Sequence, residues 1–179
     1  LSGKEVASAV YDDLISRIDC LTSEKITPGL AAVLVGDDPA SQVYVRNKRR
    51  RFENMGLLGE TFRMGDDSSE SDVLALINGL HNDDRFHGIL IQLPLPKGID
   101  SDSVLRSVRP DKDVDGFHPE NIGLLAAGNP RFIPCTPKGI LRILQFYNIE
   151  TSGKHAVIVG RSNIVGRPMA LMLSAKNDT

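Results

Sequence analysis

Tryptophan is absent from the 179 residues, and Phe, Trp and Tyr together make up only 5%. A surface of stacked aromatic platforms, of the kind that holds single-stranded nucleic acid, is therefore not expected. Cysteine is almost as scarce: Cys20 and Cys135 lie far apart, with no CxxC. That excludes a disulfide framework and points to a reducing compartment. Both cysteines are expected to be small buried apolar residues. No apolar run approaches the roughly 18 residues of a membrane span. Leu1 to Val10 include Lys4 and Glu5 and lack the apolar core of a signal peptide. An excess of one charge is also missing: 21 Lys and Arg against 23 Asp and Glu leave a net charge of -2. A polyanion or polycation bound along the whole chain is thus not indicated. His81, His87, His118 and His155 show no metal-ligand spacing, so no metal is expected. No Ser-His-Asp arrangement or GxSxG is legible, and there is no internal repeat or low-complexity stretch.

What is present is ordinary globular usage, 41% apolar and 25% charged, in a chain long enough to bury a core. Val6, Val10, Leu14, Ile18 and Leu21 predict an amphipathic opening helix. Leu30 to Val35 is an unbroken apolar run, as for a strand buried on both faces. Asp38-Pro39 reads as a cap and first helical residue, opening a helix that Gly56 closes. Gly59 to Met64 suits a short strand. The run from Val73 to Leu80 suits a helix capped by Ser71. Gly88 to Gln92 is a second buried strand, stopped by Leu93-Pro94-Leu95-Pro96. Asp100 to Val108 reads as a short helix ended by Arg109-Pro110. Thr136-Pro137 is again a cap and proline before a helix. Ala156 to Val159 is a third buried strand, and Pro168 opens a last helix through Leu173. Strands alternating with helices predict an α/β fold with a mainly parallel sheet. A domain crossing is expected within Arg109 to Gly128. The final strand and helix supply only the first unit of a doubly wound domain, so the C-terminus is expected to be cut short. Leu1 is not Met, so the N-terminus is expected to be incomplete as well.

Four segments could carry chemistry. In Ser41-Gln42-Val43-Tyr44-Val45-Arg46-Asn47-Lys48, Tyr44 and Lys48 are four apart and share a helix face. That helix begins at the carboxyl end of a strand, where open α/β sheets bind ligands. The pair suits a site that stacks a ring and handles a proton, or a packed Tyr beside a solvated Lys. The run Lys48-Arg49-Arg50-Arg51 spreads around the helix, as a phosphate or nucleic-acid patch or as a solvated face. Gln92 places an amide at the end of an apolar strand, where it needs hydrogen-bond partners. Asp111-Lys112-Asp113-Val114-Asp115-Gly116-Phe117 lacks the later Glu of a calcium loop. It suits a carboxylate accepting from the N–H groups of a heterocycle, or an Asp-rich turn. Gly160-Arg161-Ser162-Asn163-Ile164-Val165-Gly166-Arg167-Pro168 is a glycine-bearing loop between strand and helix, the pattern of a phosphate cradle. It is neither GxGxxG nor a P-loop. Arg161 is placed to meet the 2′-phosphate of NADP.

Together with Gly36-Asp37-Asp38-Pro39-Ala40 and Pro134-Cys135-Thr136-Pro137, these segments resemble the methylenetetrahydrofolate dehydrogenase/cyclohydrolase family, in order and along the whole chain. The resemblance implies two three-layer α/β domains. Residues 1–118 would form the folate-binding catalytic domain and residues 119–179 the start of a Rossmann-type NAD(P)-binding domain. It implies NADP-dependent oxidation of 5,10-methylenetetrahydrofolate to the 5,10-methenyl cation, followed by hydrolysis to 10-formyltetrahydrofolate. It further implies that Lys48, Tyr44 and Gln92 are catalytic: Lys48 activates water and manages the proton, Tyr44 stacks on the folate, and Gln92 holds the lysine. Tyr44, Ser41, Gln92 and Asp115 would bind substrate, Asp115 taking the pterin. Gly160, Arg161, Ser162 and Ile164 would bind the dinucleotide. A cytoplasmic homodimer formed through the cofactor domain follows from the same likeness, with no nucleic-acid or membrane partner. The alternatives are a dehydrogenase lacking the hydrolytic step, a folate-binding fragment without catalysis, and a nucleic-acid module using Arg46 to Arg51.

Overall fold

The computed structural model describes residues 1–175. The chain divides into two compact units, Ile15–Val114 and a second made of Leu1–Leu14 with the residues from Asp115 onward. Helix α1 (Gly3–Ser23) forms as its apolar periodicity predicts.

In the Ile15–Val114 unit the order is β1 (Gly29–Val35), α2 (Pro39–Asn54), β2 (Leu58–Met64), α3 (Glu70–His81), β3 (Gly88–Ile91) and α4 (Ser101–Ser107). The strands form a parallel sheet in the order β2-β1-β3. Leu30 pairs with Gly59 on one side and with Gly88 on the other. The central strand β1 has two buried faces because its successive side chains alternate. Ala31, Val33 and Val35 pack with Val73, Ile77, Leu80, Phe86 and Val104, under α3 and α4. Ala32 and Leu34 pack with Val45 of α2 and with Leu90. Helices therefore cover both faces of the sheet, giving the expected three layers.

Helix α3 starts two residues earlier than a cap at Ser71 would place it. Ser69, not Ser71, is the cap. Its hydroxyl accepts from the Asp72 N–H at 3.2 Å, and the Asp72 carboxylate accepts from the Ser69 N–H at 2.9 Å. This reciprocal pair satisfies two otherwise orphan donors. The far end of α3 is tied down by the Arg109 N–H, which donates to His81 Nε2 at 3.1 Å. Lys112 Nζ donates to the carbonyls of Leu80, His81 and Asp83. Burial, and then the nearby Arg109 and Lys112 charges, hold the His81 imidazole below its usual range. Below the unfolded histidine pKa of about 6.5 the unfolded chain takes up a proton that the folded one resists. Stability is therefore fully present above that pH and falls as pH drops toward the lowered folded value. Urea midpoints measured between pH 7.5 and pH 5 should decline. His81→Gln keeps an acceptor for Arg109 and should flatten the decline. An equal slope in the variant would refute the assignment.

In the other unit, α5 (Pro119–Ala126), α6 (Cys135–Phe146) and α7 (Gly166–Leu173) pack through Leu125, Leu141, Met169 and Met172. Helix α5 is not among the elements expected from the sequence. Its cap is His118, whose Nδ1 accepts from the Glu120 N–H at 3.1 Å, with Pro119 at the first position. Helix α6 begins at Cys135, with Pro134 as cap and Pro137 inside its first turn, so Thr136 does not cap it. The Tyr147 hydroxyl at the end of α6 accepts from the Ser2 N–H at 2.8 Å.

The expected strand at Ala156 to Val159 does not form. Val157 is 75% and Val159 98% exposed, while Ile158 alone leans on the helices. A lone strand leaves its N–H and C=O groups without a ladder. Among the described residues this unit holds no other strand to pair with it.

Candidate functional site

The carboxyl edge of the sheet gathers three of the expected residues. Gly36 ends β1 with φ +84°, a backbone that L side chains rarely adopt. A Cβ there would also strike Asp66 Oδ1 and come within 3.3 Å of Pro96 Cγ. This tight turn delivers the chain to Asp38, whose carboxylate accepts from the Ser41 N–H at 2.7 Å and caps α2. That hydrogen bond from the Ser41 backbone, and then the Ser41 side chain, hold the Asp38 carboxyl below the usual carboxylate range. Ser41 is thereby buried against the sheet edge.

Gln92 follows β3 directly, and its N–H extends the ladder to the Val33 carbonyl at 2.9 Å. Its side-chain Nε2 donates to the Leu93 carbonyl at 2.9 Å, and Ser41 Oγ donates to the same oxygen at 3.4 Å. With Nε2 engaged, Oε1 turns to α2 and accepts from Lys48 Nζ at 3.4 Å. Ser41, Gln92 and Lys48 thus form one connected set around the Leu93 carbonyl. Leu93 precedes a cis proline, Pro94. No side-chain pattern in the sequence points to this carbonyl, because its role is a backbone one. Tyr44 stands one turn before Lys48 on α2 and is 61% exposed, an aromatic face open to a ligand.

Asp115 belongs to the other compact unit. Its Oδ1 accepts from Cys135 Sγ at 3.7 Å. Both cysteines are exposed, contrary to the expectation of burial. Cys135 opens a helix beside a carboxylate, while Pro137 and Leu141 take the buried face of that helix.

The loop from Gly160 to Gly166 is closed on itself. Ser162 Oγ accepts from the Val165 N–H at 3.1 Å and from the Gly166 N–H at 3.4 Å. The Ser162 carbonyl accepts from the Arg167 N–H at 3.0 Å. A Cβ on Gly166 would lie 2.6 Å from the Gly160 carbonyl carbon and 2.9 Å from the Arg161 nitrogen, so only glycine admits this approach. Arg161 and Arg167 are exposed and Ile164 is half-buried. A tight turn at a helix N-terminus flanked by two exposed guanidinium groups fits the phosphates of a dinucleotide. Among the described residues no group of three or more His, Cys, Asp or Glu could hold a metal ion. No helix there is long and apolar enough to cross a membrane.

Comparison with known proteins gives a consistent picture. The profile of the tetrahydrofolate dehydrogenase/cyclohydrolase catalytic domain matches residues 1–115, and that of the corresponding NAD(P)-binding domain matches residues 134–179. The chain is 50% identical over 180 aligned positions to the bifunctional protein FolD of Magnetococcus marinus, and 48% identical over 179 to that of Enterococcus faecalis. All of this chain is covered in both alignments. It spans 63% and 64% of the length of those two relatives. The bifunctional FolD structure from Campylobacter jejuni superposes with a TM-score of 0.92 at 46% identity, covering 96% of this chain and 61% of that one. The Trypanosoma brucei dehydrogenase-cyclohydrolase, solved with NADP and an inhibitor, gives 0.93 at 31% identity, covering 98% and 60%.

Proposed function

Since the chain belongs to the tetrahydrofolate dehydrogenase/cyclohydrolase family, we propose that it serves two consecutive reactions on one folate. In the first, 5,10-methylenetetrahydrofolate gives up a hydride from its bridging carbon and becomes the 5,10-methenyl cation. Bound NADP supplies the acceptor for that hydride. In the second, water adds to the methenyl carbon, a proton leaves, and the bond to N5 opens to give 10-formyltetrahydrofolate.

The observation that carries this reading is the contact of Lys48 Nζ with Gln92 Oε1 at the carboxyl edge of the sheet. Gln92 is anchored through its other amide atom, so it fixes where the amine stands. Lys48 is the group that accepts and returns a proton as water adds. Tyr44 stacks on the folate, and Ser41 orders the start of α2 and the Leu93 carbonyl. Asp115 accepts from the pterin N–H groups. Gly160, Arg161, Ser162 and Ile164 hold the dinucleotide, Arg161 meeting the 2′-phosphate. We place the domain boundary at residues 118 and 119, and the enzyme in the cytoplasm as a homodimer joined through the cofactor domain.

The test is an absorbance assay on the complete polypeptide with 5,10-methylenetetrahydrofolate and NADP. NADPH should appear and 10-formyltetrahydrofolate should form without build-up of the methenyl band. Accumulating methenyl product would leave a dehydrogenase alone. Absence of NADPH would overturn the reading.

A further inference from the structure

Building on the folate reading above, we infer that Asn47, Arg50, Arg51 and Asn54 of α2 bind the carboxylates at the glutamyl end of the substrate. These residues follow the spacing i, i+3, i+4, i+7, which sets them in one stripe along the helix. They line a cleft of about 480 Å³, and all four are exposed. Two guanidinium forks and two amides present donors there, the equipment that recognises carboxylates.

Charge pairing on the same helix separates the arginines. Arg49 Nε donates to Glu53 Oε1 at 2.7 Å, so that cation already has its anion. Arg50 forms no ion pair among the described residues. The stripe also adjoins the proposed catalytic residues. Asn47 follows Tyr44 by three residues, and Arg51 follows Lys48 by three, so each is a surface neighbour of the other. From Tyr44 to Arg51 the helix rises about 10 Å. A folate has its ring system at one end and a glutamyl group with two carboxylates at the other. With the aromatic part on Tyr44, the anionic end is within reach of this cleft.

The experiment compares KM and kcat of the complete polypeptide for 5,10-methylenetetrahydrofolate carrying one or three γ-linked glutamyl groups. KM for the triglutamyl form should be about tenfold lower, the scale of a few partly screened ion pairs. In R50Q, and more fully in R50Q with R51Q, the ratio should fall toward one while kcat for the triglutamyl form holds. R49Q should keep the ratio. Salt near 1 M, where the screening length is about 3 Å, should shrink the ratio in the parent protein, which a merely structural role would not do. R50Q breaks no ion pair, so it remains informative if the double variant folds poorly. An unchanged ratio in R50Q, or an equal loss in R49Q, overturns the inference. Turnover of both substrates with no ratio in the parent overturns it while leaving the folate reading intact. No turnover of either substrate overturns both.

Discussion

Replacing Lys48 by Met is expected to cut hydrolysis of the methenyl substrate by about 10² to 10⁴, the usual range for removing a general acid–base group, while folate still binds. Methionine keeps most of the length of the stem and removes only the amine. The surroundings should survive the change. Gln92 loses its contact through Oε1 but keeps the Nε2 hydrogen bond to the Leu93 carbonyl. Ser41 holds the same carbonyl from the other side. Binding should persist because Tyr44, Ser41 and Gln92 are untouched. The measurement is loss of the methenyl band when that substrate is supplied directly, beside a separate titration of folate binding. An unchanged hydrolytic rate would remove Lys48 from the chemistry. Loss of binding together with rate would make it a substrate contact rather than a proton carrier.

The second large effect concerns the sheet that holds these residues. Phe86→Ala should cost about 3–5 kcal/mol of stability, the range for emptying a large aromatic site in a core. Phe86 is 1% exposed and lies in the cluster under α3 and α4. Its ring meets Phe62 edge-on at 5.5 Å, and the Arg85 guanidinium sits 5.0 Å from its centre. Truncation removes both contacts and leaves a void between β1, β2 and α3. A loss of that size is a large share of the roughly 5–15 kcal/mol that a domain possesses. Urea unfolding followed by circular dichroism is the check. A change below about 1 kcal/mol would mean that the neighbouring side chains close the gap and that the aromatic pair does little to hold this face.

Much of the Ile15–Val114 unit is legible from local chemistry. An unbroken apolar run at Leu30 to Val35 makes a two-faced buried strand whatever surrounds it, because helices must cover both faces. Asp38-Pro39 caps a helix by rules that act within four residues. Ser41, Lys48 and Gln92 stand out through the family resemblance, since a Lys one turn after a Tyr taken alone suits a packed Tyr beside a solvated Lys as well. Their meeting point at the Leu93 carbonyl is not visible, because main-chain atoms carry no sequence signal. Ala156 to Val159 shows the opposite failure. Its apolar character is real, but a strand exists only through a neighbour, and pairing is a non-local property. Helix α5 was hidden because His118 is an unusual cap. Ser69 rather than Ser71 caps α3 because Glu70 and Asp72 fill the first turn with charge ahead of the apolar run.

The two-sided burial of β1 has a consequence for how this sequence can drift. Ala31 can gain volume only if Val73, Ile77 or another residue of the α3 and α4 layer gives it up. Ala32 answers instead to Val45 and Leu90 on the α2 side. Adjacent positions in one strand are therefore bound to different sets of partners. Among descendants of this protein, substitutions at odd and even positions of β1 should accumulate as two independent histories, each written jointly with its own layer of helices.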